Sequence, residues 1–428
     1  MKGNYAAQET FRHWGMTAPP RRSRHRPDVT LDPARAAAGT VAESLSRRTL
    51  LAGLVGVTGA GALAACGATT QATGSIPSGI SLAPTTAGSP TTPLPTSAAG
   101  TRVALTAAVD VATGLKVPWS AIVLPDRSVL LSERDTAMVR RIAPDGSLAD
   151  VGAVPGVSPS GEGGLLGLAI DPQTFTTTPV LYAYYSADGE NRVVAMPYAT
   201  GGLGEQRTVL GGIPRAGNHN GGRLRFGPDG YLYVTTGDAG ERDRSQTREQ
   251  LGGKILRVTT TGAAAPGNPF GTAVWSWGHR NVQGIAWSAA GTMWASEFGQ
   301  DTWDELNVIT PGSDYGWPTV EGIAGRGGFT DPARQWRTSD ASPSGICIGP
   351  DGAILMAALR GESLWKIPTA PDGTTGEPQR LLQGTFGRLR DVLVGPDGNV
   401  WVVTNNTSRG TVRDADDRIV RLPESLTG

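Results

Sequence analysis

A tight-turn sequence recurs six times between residues 125 and 398, and it constrains this chain more than any other feature. The copies are Pro125-Asp126-Arg127, Asp171-Pro172, Gly227-Pro228-Asp229-Gly230, Ser288-Ala289-Ala290-Gly291, Gly349-Pro350-Asp351-Gly352 and Gly395-Pro396-Asp397-Gly398, about 45 to 60 residues apart. Proline presets the backbone of a turn, aspartate bonds its own backbone, and glycine accepts a left-handed conformation, so each run reverses the chain. Most lead into an apolar run of strand length, such as Tyr231-Leu232-Tyr233-Val234-Thr235 or Asn399-Val400-Trp401-Val402-Val403. A second apolar run precedes the turn, as in Ala121-Ile122-Val123-Leu124 and Asp391-Val392-Leu393-Val394. Six such hairpins, abundant glycine and proline and no convincing amphipathic helix predict an all-β, six-bladed β-propeller. A tandem of β-sandwiches leaves the near-constant spacing unexplained. In a propeller, loops from several blades converge at one mouth of the channel, so polar motifs far apart in sequence become neighbours.

The N-terminal quarter reads differently. An arginine-rich stretch leads to Ser46-Arg47-Arg48-Thr49-Leu50-Leu51 and then to a small-apolar run ending Leu63-Ala64-Ala65-Cys66. A twin arginine before an apolar segment too short to span a bilayer comfortably is an export signal of the Tat type. The ending resembles a bacterial lipobox, in which the cysteine is lipidated; an uncleaved membrane anchor is the alternative. Either reading places the rest of the chain outside the cytoplasm, held to a membrane through Cys66 in the first case. Residues 67–101 are almost all Thr, Ser, Pro, Gly and Ala without charge, which reads as a disordered tether. The expected regions are therefore a signal over 1–66, the tether over 67–101 and the propeller over 102–428.

Charge and cysteine usage narrow the function classes. Nine of the 38 basic and four of the 38 acidic residues precede Cys66, leaving 29 against 34, a net of −5 that gives no footprint for nucleic acid. With Cys66 lipidated, Cys347 has no partner, so no disulfide holds the exported fold.

Beyond the leader only two histidines remain, His219 and His279, each inside a run of glycine and hydrogen-bonding residues. Histidine titrates nearest neutral pH, so His219, with Asp238 nineteen residues on, suits a base whose ring is oriented by a carboxylate. A pair of hydrogen-bonded structural histidines is the bland alternative. Arg280-Asn281 follows His279, and Arg388-Leu389-Arg390 places two guanidinium groups on one face of an extended segment. Two guanidiniums suit a ligand with several carboxylates, although a solvated strand end explains the same spacing. The acidic, loop-like stretch from Glu297 to Glu305, followed by Asp314-Tyr315-Gly316-Trp317-Pro318, offers carboxylates and carbonyls to a hard cation such as calcium, without an EF-hand pattern.

Taken in order, Gly161-Glu162-Gly163-Gly164-Leu165-Leu166-Gly167, the His219 run through Gly240, Leu251-Gly252-Gly253-Lys254, the 278–284 run, Asp304-Glu305 with Tyr315-Gly316-Trp317-Pro318, and 388–391 resemble the soluble pyrroloquinoline quinone (PQQ)-dependent aldose, glucose or sorbosone dehydrogenases. The resemblance covers residues 115–422 and implies a six-bladed quinoprotein oxidising an aldose and passing electrons to an external acceptor. It implies that His219 is the base, Asp238 its orienting partner and Glu162 part of the substrate pocket. Arg280 and Asn281 would meet the quinone oxygens, and Arg388 and Arg390 its carboxylates. Arg360 stands where the family usually has lysine. Backbone oxygens of Gly299 and Gln300, where the family tends to read Gly-Pro, would hold a quinone-polarising Ca2+; Glu305 and the Tyr315 carbonyl would hold a structural one. An envelope sugar- or protein-binding propeller with a degraded cofactor site is the competing expectation. A propeller lactonase would need a convergent carboxylate set that the sequence does not spread over its blades.

Overall fold

The computed structural model describes residues 107–199 and 202–426; the expected leader, Cys66 and the tether lie outside them. The described chain forms six antiparallel sheets, each with four strands as its main path, successive in the chain in all but the sixth. Blade 1 is Pro118–Val123, Val129–Glu133, Met138–Ile142 and Leu148–Ala153. Blade 2 is Leu165–Ile170, Val180–Ser186, Asn191–Ala199 and Arg207–Ile213, and blade 3 is Leu224–Phe226, Leu232–Thr235, Lys254–Val258 and Val274–Trp277. Blade 4 is Val282–Trp287, Met293–Glu297, Trp303–Val308 and Arg334–Arg337; blade 5 is Pro343–Ile348, Ile354–Ala358, Ser363–Ile367 and Gln379–Leu381. Blade 6 takes Leu389–Val394, Val400–Thr404 and Ile419–Arg421 from the C-terminal side and closes with Val109–Ala112, Val109 lying opposite Arg421.

The repeated turns join the first two strands of every blade. In blade 3 the Gly227 N–H donates to the Tyr231 carbonyl at 2.9 Å, and Gly349 to Ala353 and Gly395 to Asn399 repeat the bond at 2.8 Å. The first strand of each blade packs against the first strands of both neighbours, and the ring closes from blade 6 onto blade 1. Five of these strands are buried along nearly their whole length, and their polar residues, such as Ser120, Gln283 and Asp391, bond one another or other buried groups in the channel.

The core is divided in the same way. Six buried clusters each sit at one interface between adjacent blades, such as Tyr233, Ile255, Val282, Ile285 and Ala295 between blades 3 and 4. A second example is Ala121, Val129, Leu393, Trp401 and Ile419 between blades 1 and 6. The channel itself is plugged by polar groups. Fully buried Arg223 bonds Asp391 at 3.0 Å, Ser120 at 3.2 Å and the Gln283 carbonyl at 2.8 Å, tying blades 1, 3, 4 and 6 together beneath the ligand mouth. A buried pair of this kind relies on such added bonds, here through Nε and Nη1, while Nη2 has no partner among the described residues.

The stretch from Glu297 to Glu305 differs from the loop expected there. Glu297 ends one strand of blade 4 while Asp304 and Glu305 lie within the next, leaving only 298–302 as loop. Asp304 is tolerated in a buried strand because Gly299 and Ser342 donate backbone N–H groups to it at 2.9 and 2.6 Å.

Candidate active site

The residues singled out in the sequence arrive at one end of the ring for a topological reason. Glu162, His219, Arg280 and Arg388 precede or open innermost strands, while Gly299, Gln300 and Arg360 follow second strands, and antiparallel pairing brings both positions to the same end. There they line a cavity of about 280 Å³ with Arg390, Arg134, Trp119, Phe298 and Asp304. This is close to the lower bound of roughly 300 Å³ for small-ligand sites.

His219 and Asp238 meet as expected. The turn between the first two strands of blade 3 folds the chain back, and Gly237 lets the two segments touch, since a Cβ there would lie 1.9 Å from the His219 carbonyl oxygen. His219 Nδ1 lies 2.8 Å from Asp238 Oδ1, leaving Nε2 on the cavity side beside the Asn218 amide at 3.3 Å. Asp238 is fully buried, and its remaining partners are the Gly240 N–H at 2.8 Å and the Trp317 indole N–H at 2.8 Å. Burial works to raise its pKa, but His219, Gly240 and Trp317 hold it below the usual carboxylate value. A carboxylate that accepts only donors keeps the proton on Nδ1 and the lone pair on Nε2, the tautomer a base needs. Trp317 went unassigned in the sequence, although it stands in the Tyr315-Gly316-Trp317-Pro318 motif.

His279 serves the scaffold instead. It is fully buried between Glu297 and Ser276, each at 2.8 Å, and stacks on Tyr315 with ring centroids 4.6 Å apart. Asn281 lies off the cavity wall: its Oδ1 accepts the Gly221 N–H at 3.0 Å, and its buried Nδ2 has no partner among the described residues.

The cavity is strongly cationic. Arg134 pairs with Asp135 and Arg409 with Glu162, but Arg360, Arg388 and Arg390 form no ion pair among the described residues. Buried Nε atoms of Arg388 and Arg390 have no acceptor. Burial, with Arg134 and Arg388 beside it, pushes Arg390 down to about 9, and burial with Arg409 nearby lowers Arg388. Guanidinium groups kept charged under such opposition form a cradle for a ligand with several carboxylates, so the residues present fit PQQ. Glu162 completes the wall, accepting the His219 N–H at 3.3 Å.

A second cavity of about 10 Å³ lies behind the first, between Glu297, Gly299, Glu305, Tyr315 and Glu321. Burial, with Glu297 nearby, pushes Glu305 up to about 8. No group of three or more His, Cys, Asp or Glu is arranged to hold a metal among the described residues. A cation here would therefore need backbone carbonyls among its ligands, the donor set that suits Ca2+.

The family model for glucose / sorbosone dehydrogenase matches residues 115–413. Aldose sugar dehydrogenase YliI of Escherichia coli is 30% identical over 329 residues, covering 68% of this chain and 88% of that one. The PQQ-bound structure of aldose sugar dehydrogenase from Streptomyces coelicolor is 50% identical over 73% of this chain and 96% of its own, with a TM-score of 0.71. The apo structure of the soluble E. coli aldose sugar dehydrogenase, 27% identical over 74% of this chain and 99% of its own, gives 0.66. Motif order, ring closure and these matches agree, and the chain belongs to the glucose/sorbosone dehydrogenase family of soluble PQQ sugar dehydrogenases.

Proposed function

We propose that this protein oxidises the anomeric carbon of an aldose to the lactone with PQQ as cofactor. The observation that carries the reading is His219, oriented by a buried carboxylate, facing a cavity with unpaired guanidinium groups. When bound, PQQ supplies the two-electron acceptor for the hydride. The chain supplies the rest. His219 Nε2 takes the anomeric hydroxyl proton, and Asp238 stabilises the imidazolium that results. Arg360, Arg388 and Arg390 would hold the carboxylates of the cofactor, Arg280 would meet its oxygens, and Glu162 would border the sugar. Carbonyl oxygens of Gly299 and Gln300 would hold a Ca2+ that polarises the cofactor, and Glu305 with the Tyr315 carbonyl would hold a structural Ca2+.

The protein is exported and attached to the cell envelope through lipidated Cys66, delivering electrons to an external acceptor. Cys66→Ala is expected to move it from the membrane to the soluble fraction; unchanged fractionation contradicts the anchor. Reconstitution of the apoprotein tests the activity: PQQ plus Ca2+ is expected to produce aldose-dependent dye reduction, with neither alone sufficient. PQQ binding without oxidation of any aldose favours a binding propeller instead.

A further inference from the structure

One carboxylate oxygen organises the loop that faces the cavity. Glu321 Oε1 accepts N–H bonds from four consecutive residues, Gln300 at 2.6 Å, Asp301 at 2.9 Å, Thr302 at 2.9 Å and Trp303 at 3.1 Å. Successive N–H groups converging on one point form a nest, the concavity that backbone builds around an anion. Here the anion belongs to the chain. The curl is tight enough that a Cβ on Gly299 would lie 1.8 Å from the Trp303 carbonyl oxygen and 2.7 Å from the Glu321 carboxylate.

The loop passes this order to the site. Gln300 Oε1 accepts from Arg280 Nε at 3.0 Å and from Nη2 at 2.7 Å, and the Phe298 carbonyl accepts from Nη1 at 3.2 Å. All three guanidinium nitrogens of Arg280 are thus gripped by the segment that Glu321 folds. Glu321 itself does not line the larger cavity. We infer that Glu321 is a positioning residue that fixes Arg280 through Gln300, and so sets how firmly the site holds its cofactor. The consequence for binding rests on the proposed PQQ function; the tether does not.

Two measurements on the full chain separate these. Hydrogen exchange of the apoprotein is expected to show residues 300–303 protected in the wild type and exchanging at least about tenfold faster in Glu321→Ala, with blade 3 core amides such as Val234 unchanged. Glu321→Gln keeps the accepting oxygen without the charge-assisted strength and should fall between them. Equal exchange at 300–303 in all three proteins overturns the inference. PQQ titration of apoprotein then reads the route: Glu321→Ala should weaken binding about tenfold in the wild-type background and less than about twofold when Arg280 is already alanine. Equal losses in both backgrounds, or none, overturn the action through Arg280. A wild type that binds no PQQ sinks the proposed function, and the exchange result then decides the tether by itself.

Discussion

Asp238→Asn keeps the shape of the orienting carboxylate and removes its charge. In the structure every partner of Asp238 donates: His219 Nδ1 and the Gly240 N–H to Oδ1, and the Trp317 indole to Oδ2, each at 2.8 Å. An amide nitrogen in place of Oδ2 meets the indole N–H, donor against donor. Placed at Oδ1 it meets the Gly240 N–H and can bond His219 only after the imidazole proton moves to Nε2, which removes the lone pair from the cavity side. Either arrangement leaves a buried donor unsatisfied, at a cost of about 1–3 kcal/mol in stability. A positioned base contributes about 10²–10⁴ in rate, and the wrong tautomer forfeits most of it. The expected fall in kcat is therefore about 100- to 10,000-fold, or about 2.7–5.5 kcal/mol in the barrier. PQQ affinity should stay within about threefold, because Arg360, Arg388 and Arg390 make no bond to Asp238 and the Asp238 backbone N–H keeps its bond to the Arg280 carbonyl. Dye reduction at saturating aldose and PQQ measures the first quantity and titration of apoprotein the second. A kcat within about threefold of wild type refutes the tautomer argument.

Arg388→Ala removes a half-buried guanidinium that has no ion partner among the described residues, so PQQ affinity should fall about 10- to 100-fold while kcat at saturating PQQ changes only a few-fold; unchanged affinity in a titration contradicts the cradle. Lys254 supplies a pH signature: burial pushes it down to about 7 against the pull of Asp314 and Glu249; its ammonium can donate to all three carbonyls around Nζ, those of Arg244, Ser245 and Gly252, and the neutral amine to two of them. Between about pH 7 and the unfolded value near 10.4 the unfolded chain binds more protons, so this group makes stability rise with pH across that window. Lys254→Met should flatten that rise in melting temperatures measured from pH 7 to 10, and an unchanged slope refutes the assignment.

The blade count was legible because each turn sequence marks the same hairpin, from Asp126 in blade 1 to Asp397 in blade 6. The outer strands were not, since Gln379–Leu381 and Arg334–Arg337 are short and follow irregular loops, and no local pattern announces that Val109–Ala112 pairs with the far end of the chain. His219 and Asp238 could be paired because a single hairpin joins them. Trp119 lies in an apolar strand, and Arg134, in the polar turn Ser132-Glu133-Arg134-Asp135-Thr136, reads as an ordinary solvated turn, so only the folded ring places both at the cavity. Asp304 and Glu305 read as loop because two adjacent carboxylates are unexpected in a buried strand. Their backbone donors, Gly299, Ser342 and Gly322, come from other segments.

The most direct test of the catalytic role is His219→Ala, measured with PQQ affinity and turnover on the same preparation. His219 is the histidine that lines the cavity, with a carboxylate behind its ring and only the Asn218 amide, at 3.3 Å, beside Nε2, while the arginines that would hold the cofactor remain in place. The expected result is PQQ affinity within about threefold of wild type and aldose oxidation lowered about 100- to 10,000-fold. Wild-type turnover in His219→Ala, on any aldose the native protein oxidises, contradicts the role assigned to His219 and with it the proposed mechanism.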